Sequence, residues 1–153
     1  MKRIILIALF ISTATLSLPA TVSVRILTTK VIDSFIFSPL EGNYTIYGDG
    51  IAVAECDASG IFQMSLDKDS VLLKTFEKTI GKYAMIRIYS LNQEAAFKIK
   101  SVIPDSKVRT YEGNIEVSLT ADKKQFLLIN KVDLEKYIGG VVESESGTKT
   151  SIE

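Results

Sequence analysis

The chain of 153 residues contains no histidine and a single cysteine, Cys56. One cysteine cannot form an intrachain disulfide, and a zinc site built from cysteine and histidine ligands is excluded. Ser-His-Asp and Cys-His catalysis are excluded as well, because both need histidine as the base. Any catalysis must therefore rest on carboxylates, lysine, tyrosine or hydroxyl groups, and Cys56 is interpreted as a small half-buried apolar residue. Nothing in the sequence indicates a cofactor or a metal site.

The N-terminus carries an apolar run, Ile4–Ile11, that is too short to span a bilayer, for which roughly 20 apolar residues are needed. Lys2 and Arg3 precede the run, and Ser/Thr/Ala-rich sequence ending near Pro19-Ala20 follows it. This order of segments is typical of a secretory signal peptide. Residues 1–20 are therefore predicted to be a signal peptide, with an uncleaved anchor as the alternative. The remainder is expected to be exported to the periplasm, the cell wall or the extracellular medium.

The chain also lacks an excess of charge of either sign, with 18 basic and 18 acidic residues. Cleavage after residue 20 would remove Lys2 and Arg3, which leaves 16 basic against 18 acidic residues, a net charge of −2. A domain so close to neutral gives no reason to expect nucleic acid or an anionic membrane surface as a partner. No stable membrane span is expected after signal cleavage.

Residues 21–129 consist of short β-type runs separated by turns. Thr21–Thr28 alternates apolar with polar residues, as a half-buried strand does, and Gly48-Asp49-Gly50 is a hairpin signal because Asp-Gly accepts positive φ. The other predicted strands are Val31–Phe37, Tyr44–Tyr47, Ile51–Glu55, Ile61–Leu66, Val71–Phe76, Tyr83–Tyr89, Ala95–Ile103, Val108–Tyr111, Ile115–Leu119 and Gln125–Ile129. Such a series predicts a mainly β (β-rich α+β) domain, with antiparallel strands in a sandwich or an open barrel. Residues 21–153 are interpreted as one domain.

A single helix is predicted to follow at the C-terminal end. Asp133 is a good N-cap residue. The apolar residues after it recur at the spacing of one helix face, namely Leu134, Tyr137, Ile138, Val141 and Val142. Three residues further along, the same face reaches Glu145, which Ser144 and Ser146 flank. A carboxylate at the end of an apolar stripe is a candidate general acid, because apolar surroundings raise the pKa of a Glu side chain. The alternative is a solvated Glu in a polar tail.

Two adjacent glycines, Gly139 and Gly140, interrupt the predicted helix. Each costs a helix roughly 1 kcal/mol relative to alanine, so their presence needs a reason. Close packing against a neighbouring element is the expected reason, and close approach to a ligand is the alternative.

Two stretches near the C-terminus, Tyr111–Val117 and Leu128–Glu145, resemble the SpoIID/LytB domain family in order and spacing. This family includes stage II sporulation protein D and the amidase enhancers. Its members carry a Tyr-Arg-Gly…Ile-Glu-Val strand pair, then an Asn-x-Val-x-Leu-Glu-x-Tyr-Leu-x-Gly-Val-Val helix, then Ser-Glu-Met. The close match covers about 35 residues, and Val24–Leu27 is similar to the opening strand of such domains. Glu112 and Ser146-Gly147 differ from the family, which usually has Arg and Met-Pro there.

The resemblance implies a secreted lytic transglycosylase that acts on the glycan strands of peptidoglycan, with Glu145 as its catalytic acid and base. One carboxylate suffices for this reaction. It protonates the leaving oxygen and then takes the proton of the muramic acid C6 hydroxyl, which closes a 1,6-anhydro ring.

The candidate substrate-binding residues are Ser144, Tyr111, Tyr137 and Asn130. Tyr111 and Tyr137 could stack on sugar, although core and rim positions are commoner for tyrosine. Asn130 could instead satisfy backbone groups at the strand-to-helix turn.

Two other functions remain open. The domain could be a non-catalytic wall-binding or amidase-stimulating module, with a cell-wall amidase as partner, or a generic secreted interaction domain. Members of the family continue after the motif with helical sequence, which the chain lacks because it stops at Glu153. We therefore expect a domain that is incomplete at its C-terminus, a fragment of a longer protein whose further part would wall the cleft and cover the apolar stripe.

Overall fold

The computed structural model describes residues 20–29, 31–92 and 94–146, and for residues 144–146 the backbone alone. The signal peptide predicted over residues 1–20 lies outside the described residues, except for Ala20. The elements in chain order are β1 (Thr21–Arg25), β2 (Ser34–Glu41), β3 (Tyr44–Gly48), β4 (Ile51–Cys56), β5 (Phe62–Asp67), β6 (Ser70–Lys74), β7 (Thr79–Tyr83), β8 (Met85–Ser90), β9 (Ala96–Ile103), β10 (Arg109–Glu112), β11 (Asn114–Leu119), β12 (Phe126–Asp133) and α1 (Leu134–Ser146). No helix in this part of the chain is long and apolar enough to cross a membrane.

The twelve strands form two antiparallel sheets of six strands each. One sheet has the order β1-β12-β11-β8-β3-β4, and the other has the order β10-β9-β2-β5-β6-β7. The predicted mainly β class with one C-terminal helix is confirmed. The strands lie in two separate sheets that do not close into a barrel, and buried residues of both sheets form one core, which is the arrangement of a sandwich.

The core lies between the sheets and is filled by alternate residues of their strands, as expected for sheets with one buried face. Phe37 of β2 meets Tyr44 of β3 edge to face across the interface, with ring centroids 5.6 Å apart. The fully buried large side chains are Tyr44, Phe35, Phe37, Phe97, Ile46, Met64, Leu73, Ile86, Ile88, Ile99, Ile115 and Leu128. Burial of this apolar surface is the main favourable contribution to folding.

The sequence pattern predicts a polar connection up to Gly81, but the structure has a strand there, β7. The alternation of apolar and polar residues that marks a strand is weak in β7, because its central residue is Gly81. A Cβ at Gly81 would lie 2.4 Å from the Tyr83 hydroxyl oxygen, so the tyrosine occupies the place of a side chain. Strand β2 is predicted to end before Ser38-Pro39 but continues to Glu41. Proline is tolerated there because the pairing of β2 with β5 ends at Phe37.

The hairpin predicted at Gly48-Asp49-Gly50 is confirmed. Asp49 and Gly50 join β3 to β4 with φ angles of 49° and 90°, as a tight hairpin turn requires. The Asp49 carboxylate also accepts hydrogen bonds from the backbone N–H groups of Ala84 and Met85, at 3.3 and 2.9 Å. The turn thereby holds the start of β8.

Candidate functional site

The tight turn between β10 and β11 is the part of the fold on which the candidate site rests. Gly113 occupies it with a φ of 82°, and a Cβ there would lie 2.3 Å from the carbonyl oxygen of Lys131. Only glycine fits this position, because both the backbone conformation and the close approach of β12 exclude a side chain. The Gly113 N–H donates to the carbonyl of Ala95 at 2.7 Å, and its own carbonyl accepts from the Tyr44 hydroxyl at 3.0 Å.

Asn130 of β12 completes the turn from beneath. Its side-chain nitrogen donates to the carbonyl oxygens of Glu112 and Asn114, at 2.8 and 2.9 Å. Because both partners are carbonyls, the orientation of the amide is determined by chemistry: the nitrogen must face them. Asn130 therefore satisfies backbone groups, which was the alternative to substrate binding. The groups belong to the β10–β11 turn and not to the strand-to-helix turn.

Helix α1 begins where the sequence predicts. The Asp133 carboxylate accepts from the backbone N–H groups of Glu135 and Lys136, at 2.9 and 3.3 Å, which confirms the N-cap. The helix runs from Leu134 to Ser146. It follows β12 directly and so starts beside the β10–β11 turn.

A groove runs between α1 and the β10–β11 turn, and we name it the α1 groove. It consists of two cavities of about 450 Å³ each, which share Glu112, Lys136 and Gly140. The aromatic half is lined in addition by Thr110, Tyr111, Asn130, Val132, Tyr137 and Val141. The acidic half is lined in addition by Glu41, Glu94, Ala95, Ala96, Gly139 and Glu143.

Three of the five candidate site residues meet in the aromatic half: Tyr111 from β10, Asn130 from β12 and Tyr137 from α1. The other two, Ser144 and Glu145, lie in the last turn of α1, and their side chains lie outside the described residues. Glu145 follows Val141 by four residues, so its backbone position is on the helix face that carries Tyr137 and Val141.

The two tyrosines of the groove differ in how much ring surface they offer. The Tyr111 ring stacks on Phe97 with centroids 5.7 Å apart and is half-buried against the core. Burial raises the pKa of its hydroxyl, against the opposing effect of Arg109. Tyr137 is 40% exposed and is the better placed of the two to stack on a ligand.

The oxygen of the Asn130 side chain is the polar group that remains available. Asn130 is only 5% exposed, and within the described chain its Oδ1 accepts no hydrogen bond, whereas its nitrogen makes two. No fully buried side-chain oxygen or nitrogen among the described residues lacks a partner. Oδ1 is therefore not fully buried, and Asn130 is one of the residues that line the α1 groove.

One ion pair marks the boundary between the two halves. The Lys136 ammonium lies 3.6 Å from the Glu112 carboxylate, and both residues line both halves. The pair brings one positive and one negative charge together at this boundary. A half-exposed pair of this kind contributes little to stability, up to about 1 kcal/mol, and its main effect is on the charge of the groove.

The expectation that Gly139 and Gly140 serve close packing is wrong for the described structure. A Cβ at either position would meet no described atom within 4 Å, and neither glycine has a positive φ. Both line the α1 groove. The alternative explanation of the two glycines, close approach to a ligand, stays a prediction.

The apolar stripe of α1 is exposed within the described chain. Tyr137, Ile138, Val141 and Val142 keep between 36% and 59% of their surface accessible. The described residues therefore do not provide the apolar cover that was expected to raise the pKa of Glu145.

Thr110 and Val132 line the aromatic half but were not among the candidates. Val132 could have been found, because it follows Asn130 by two residues in β12 and so shares its face of the sheet. Thr110 precedes Tyr111 on an edge strand and carries no such signal.

A larger cavity, of about 620 Å³, opens beside Asn43, Tyr44, Thr45, Glu55, Cys56, Asp57, Ser59, Gly60, Phe62, Leu91 and Asn92. None of the sequence candidates lines it. No group of three or more Cys, Asp or Glu residues that could hold a metal ion occurs in the described ranges. Comparisons with protein-family models, with curated proteins and with solved structures find no match to this chain.

Proposed function

We propose that the chain is an exported domain that binds glycan strands of peptidoglycan in the α1 groove and cleaves them with Glu145 as general acid and base. One observation carries the proposal. Three residues that the motif resemblance selects, from three different elements, line one cavity.

The groove has the chemistry that a sugar ring needs. Tyr137 offers an exposed ring face, Asn130 Oδ1 offers a hydrogen-bond acceptor, and Lys136 offers donors. A volume of about 450 Å³ lies within the usual range for small-ligand sites, about 300 to 1,000 Å³. Glu145 follows on the same helix face, at the end of the groove-lining segment of α1.

In the proposed reaction the Glu145 carboxylic acid gives its proton to the glycosidic oxygen as the bond from that oxygen to C1 of muramic acid breaks. The resulting carboxylate accepts the proton of the C6 hydroxyl, and O6 bonds to C1. The products are a new free sugar end and a 1,6-anhydro end, and Glu145 is again protonated. No water is consumed, so a second carboxylate is not required, in contrast to most hydrolytic glycosidases.

The test compares the full-length protein with its Glu145→Gln variant on purified sacculi and on glycan strands stripped of stem peptides. Glutamine keeps the shape of the side chain but cannot transfer the proton. We expect 1,6-anhydro ends, detected by mass spectrometry, with the wild type and with Glu135→Gln, a matched change in the first turn of α1. Release at the wild-type rate by Glu145→Gln would refute the catalytic role.

A non-catalytic wall-binding or amidase-stimulating module is the second candidate function. It is favoured by the exposure of the apolar stripe, because a solvated surrounding does not favour a protonated Glu at neutral pH. Retention of the protein on sacculi without new reducing or anhydro ends would support this function over the enzyme. Absence of any retention would exclude both.

A further inference from the structure

Gly139 and Gly140 lie at exposed positions of α1, and no contact within the described protein explains why glycine occupies them. Their φ angles do not require glycine, and no described atom lies within 4 Å of a Cβ built on either. Glycine is the poorest helix former after proline, and two in succession in a helix of 13 residues weaken it appreciably. The space beside them is part of the α1 groove, and Gly140 borders both halves.

A second and independent feature of the same groove is a polar atom with nothing bound to it. Asn130 is 5% exposed, its side-chain nitrogen donates to two carbonyls, and its Oδ1 has no hydrogen-bond partner among the described residues although Asn130 lines the aromatic half. An acceptor fixed in this way by its own nitrogen cannot turn to seek another partner. It is therefore preorganised to receive an N–H or O–H group from an occupant of the groove.

We propose that Gly140 is a specificity-determining residue that keeps the aromatic half of the α1 groove open for a pyranose ring lying against the helix backbone, with Asn130 Oδ1 accepting a hydrogen bond from the ring's hydroxyl or amide N–H. The inference rests on the proposed glycan-binding function and defines where on α1 the sugar lies. The exposed ring of Tyr137, one turn before Gly140, forms the aromatic wall of this subsite. A methyl group at position 140 would project into the space that the sugar occupies.

The proposal predicts that replacing glycine by alanine in the groove raises the stability of the domain and lowers its affinity for the glycan. Gly139→Ala and Gly140→Ala improve helix propensity, so each should raise the melting temperature, by about 2–4 °C for a domain of this size. Gly140→Ala should also weaken binding of the glycan, by about tenfold or more, because the added methyl group prevents the ring from reaching the helix backbone. Gly139 does not line the aromatic half, so Gly139→Ala should weaken binding less. Packing glycines would behave differently, since their replacement lowers stability.

The experiment measures binding of soluble glycan strands stripped of stem peptides to the full-length protein, together with thermal unfolding. Val142→Ala is the matched control, because it also raises helix propensity but Val142 is exposed and does not line the groove. Wild-type affinity in the control, higher melting temperatures in both glycine variants, and the larger loss of binding in Gly140→Ala are the expected result.

Three outcomes would contradict it, and they separate the two claims. If the wild type does not bind the strands, glycan binding fails, and the subsite fails with it. If the wild type binds and Gly140→Ala binds equally well, the subsite alone is wrong. If the glycine variants melt at a lower temperature than the wild type, the space is filled by the protein itself, which also overturns the subsite while leaving glycan binding in place.

Discussion

The hydroxyl of Tyr44 donates a hydrogen bond of 3.0 Å to the carbonyl oxygen of Gly113, a residue 69 positions further along the chain. Tyr44 belongs to the core and is 1% exposed, whereas Gly113 forms the turn beneath the α1 groove. Burial raises the pKa of this hydroxyl, so it remains a protonated donor at physiological pH. The core of the sandwich thereby fixes the position of the groove.

Tyr44→Phe tests this link. The substitution removes the donor and leaves the Gly113 carbonyl without this partner, which should cost about 1–2 kcal/mol in the free energy of unfolding. Urea unfolding followed by circular dichroism measures the loss. Tyr47→Phe is the control, because Tyr47 is only half-buried and we expect a change below about 0.5 kcal/mol. Equal effects of the two substitutions would mean that the Tyr44 hydrogen bond has no special weight.

Asn130 provides a second prediction. Asn130→Ala leaves the carbonyls of Glu112 and Asn114 without their side-chain donor and should destabilise the domain by more than about 2 kcal/mol. The loss should appear in chemical unfolding and should be accompanied by weaker glycan binding. A loss below about 0.5 kcal/mol would show that the turn does not depend on this side chain.

The substitution Asn130→Asp adds a pH dependence to the same test. A carboxylate facing two carbonyls is disfavoured, so the pKa of the introduced group rises in the folded state above its unfolded value of about 3.9. The folded variant then holds more protons than the unfolded one, and its stability should fall as the pH rises from about 4 to 7, relative to Asn130→Ala. Parallel curves for the two variants across this range would contradict the geometry of the Asn130 contacts.

The fold was largely predictable, because short alternating runs and turn residues are local signals. Asp133 indicates the start of α1 because its carboxylate caps backbone N–H groups two and three residues further on. Asp49-Gly50 indicates a hairpin because both residues accept positive φ. Strand β7 was not predictable, because glycine is a poor strand residue. The space that a side chain of Gly81 would occupy is filled by the Tyr83 ring, a contact that the local pattern does not reveal.

The groove was predictable only in part. Tyr111, Asn130 and Tyr137 are linked by sequence order, but their meeting depends on the register between β10, β9, β11 and β12, which is set by long-range pairing. The exposure of the apolar face of α1 could not be predicted either, because periodicity identifies an apolar face but not what packs against it.

A cluster on the outer face of the first sheet gives a prediction about acid stability. The Glu116 carboxylate accepts a hydrogen bond from the Tyr89 hydroxyl and lies 3.5 Å from both the Arg87 and the Lys131 nitrogen. Burial alone would raise the pKa of Glu116, but the Tyr89 hydrogen bond and the charges of Lys131 and Arg87 outweigh it and lower the pKa.

Because the folded pKa lies below the unfolded one, the folded state binds fewer protons. The stability that Glu116 contributes is therefore present above the unfolded pKa, about 4.3, and is lost as the pH falls through the folded pKa. We expect Glu116→Gln to lose less stability than the wild type between pH 5 and pH 3, by up to about 1 kcal/mol. Glu55→Gln, at an exposed edge-strand position, controls for the change in net charge. A wild-type acid response in Glu116→Gln would contradict the argument.

Cys56 gives a prediction about thiol reactivity. The side chain is 7% exposed, and burial, with a smaller effect of the Asp57 charge, raises its pKa to about 12. The thiolate is the reactive form, and at pH 8 a thiol with that pKa is ionised in only about one molecule in ten thousand, against about a quarter for an ordinary cysteine with a pKa near 8.5. Reaction of the folded protein with an aromatic disulfide reagent should therefore be at least about a thousandfold slower than in denaturant. Cys56→Ser should give no signal in either state. Rapid labelling of the native protein would mean that the cavity beside Cys56 exposes an activated thiol, contrary to its buried place in the core.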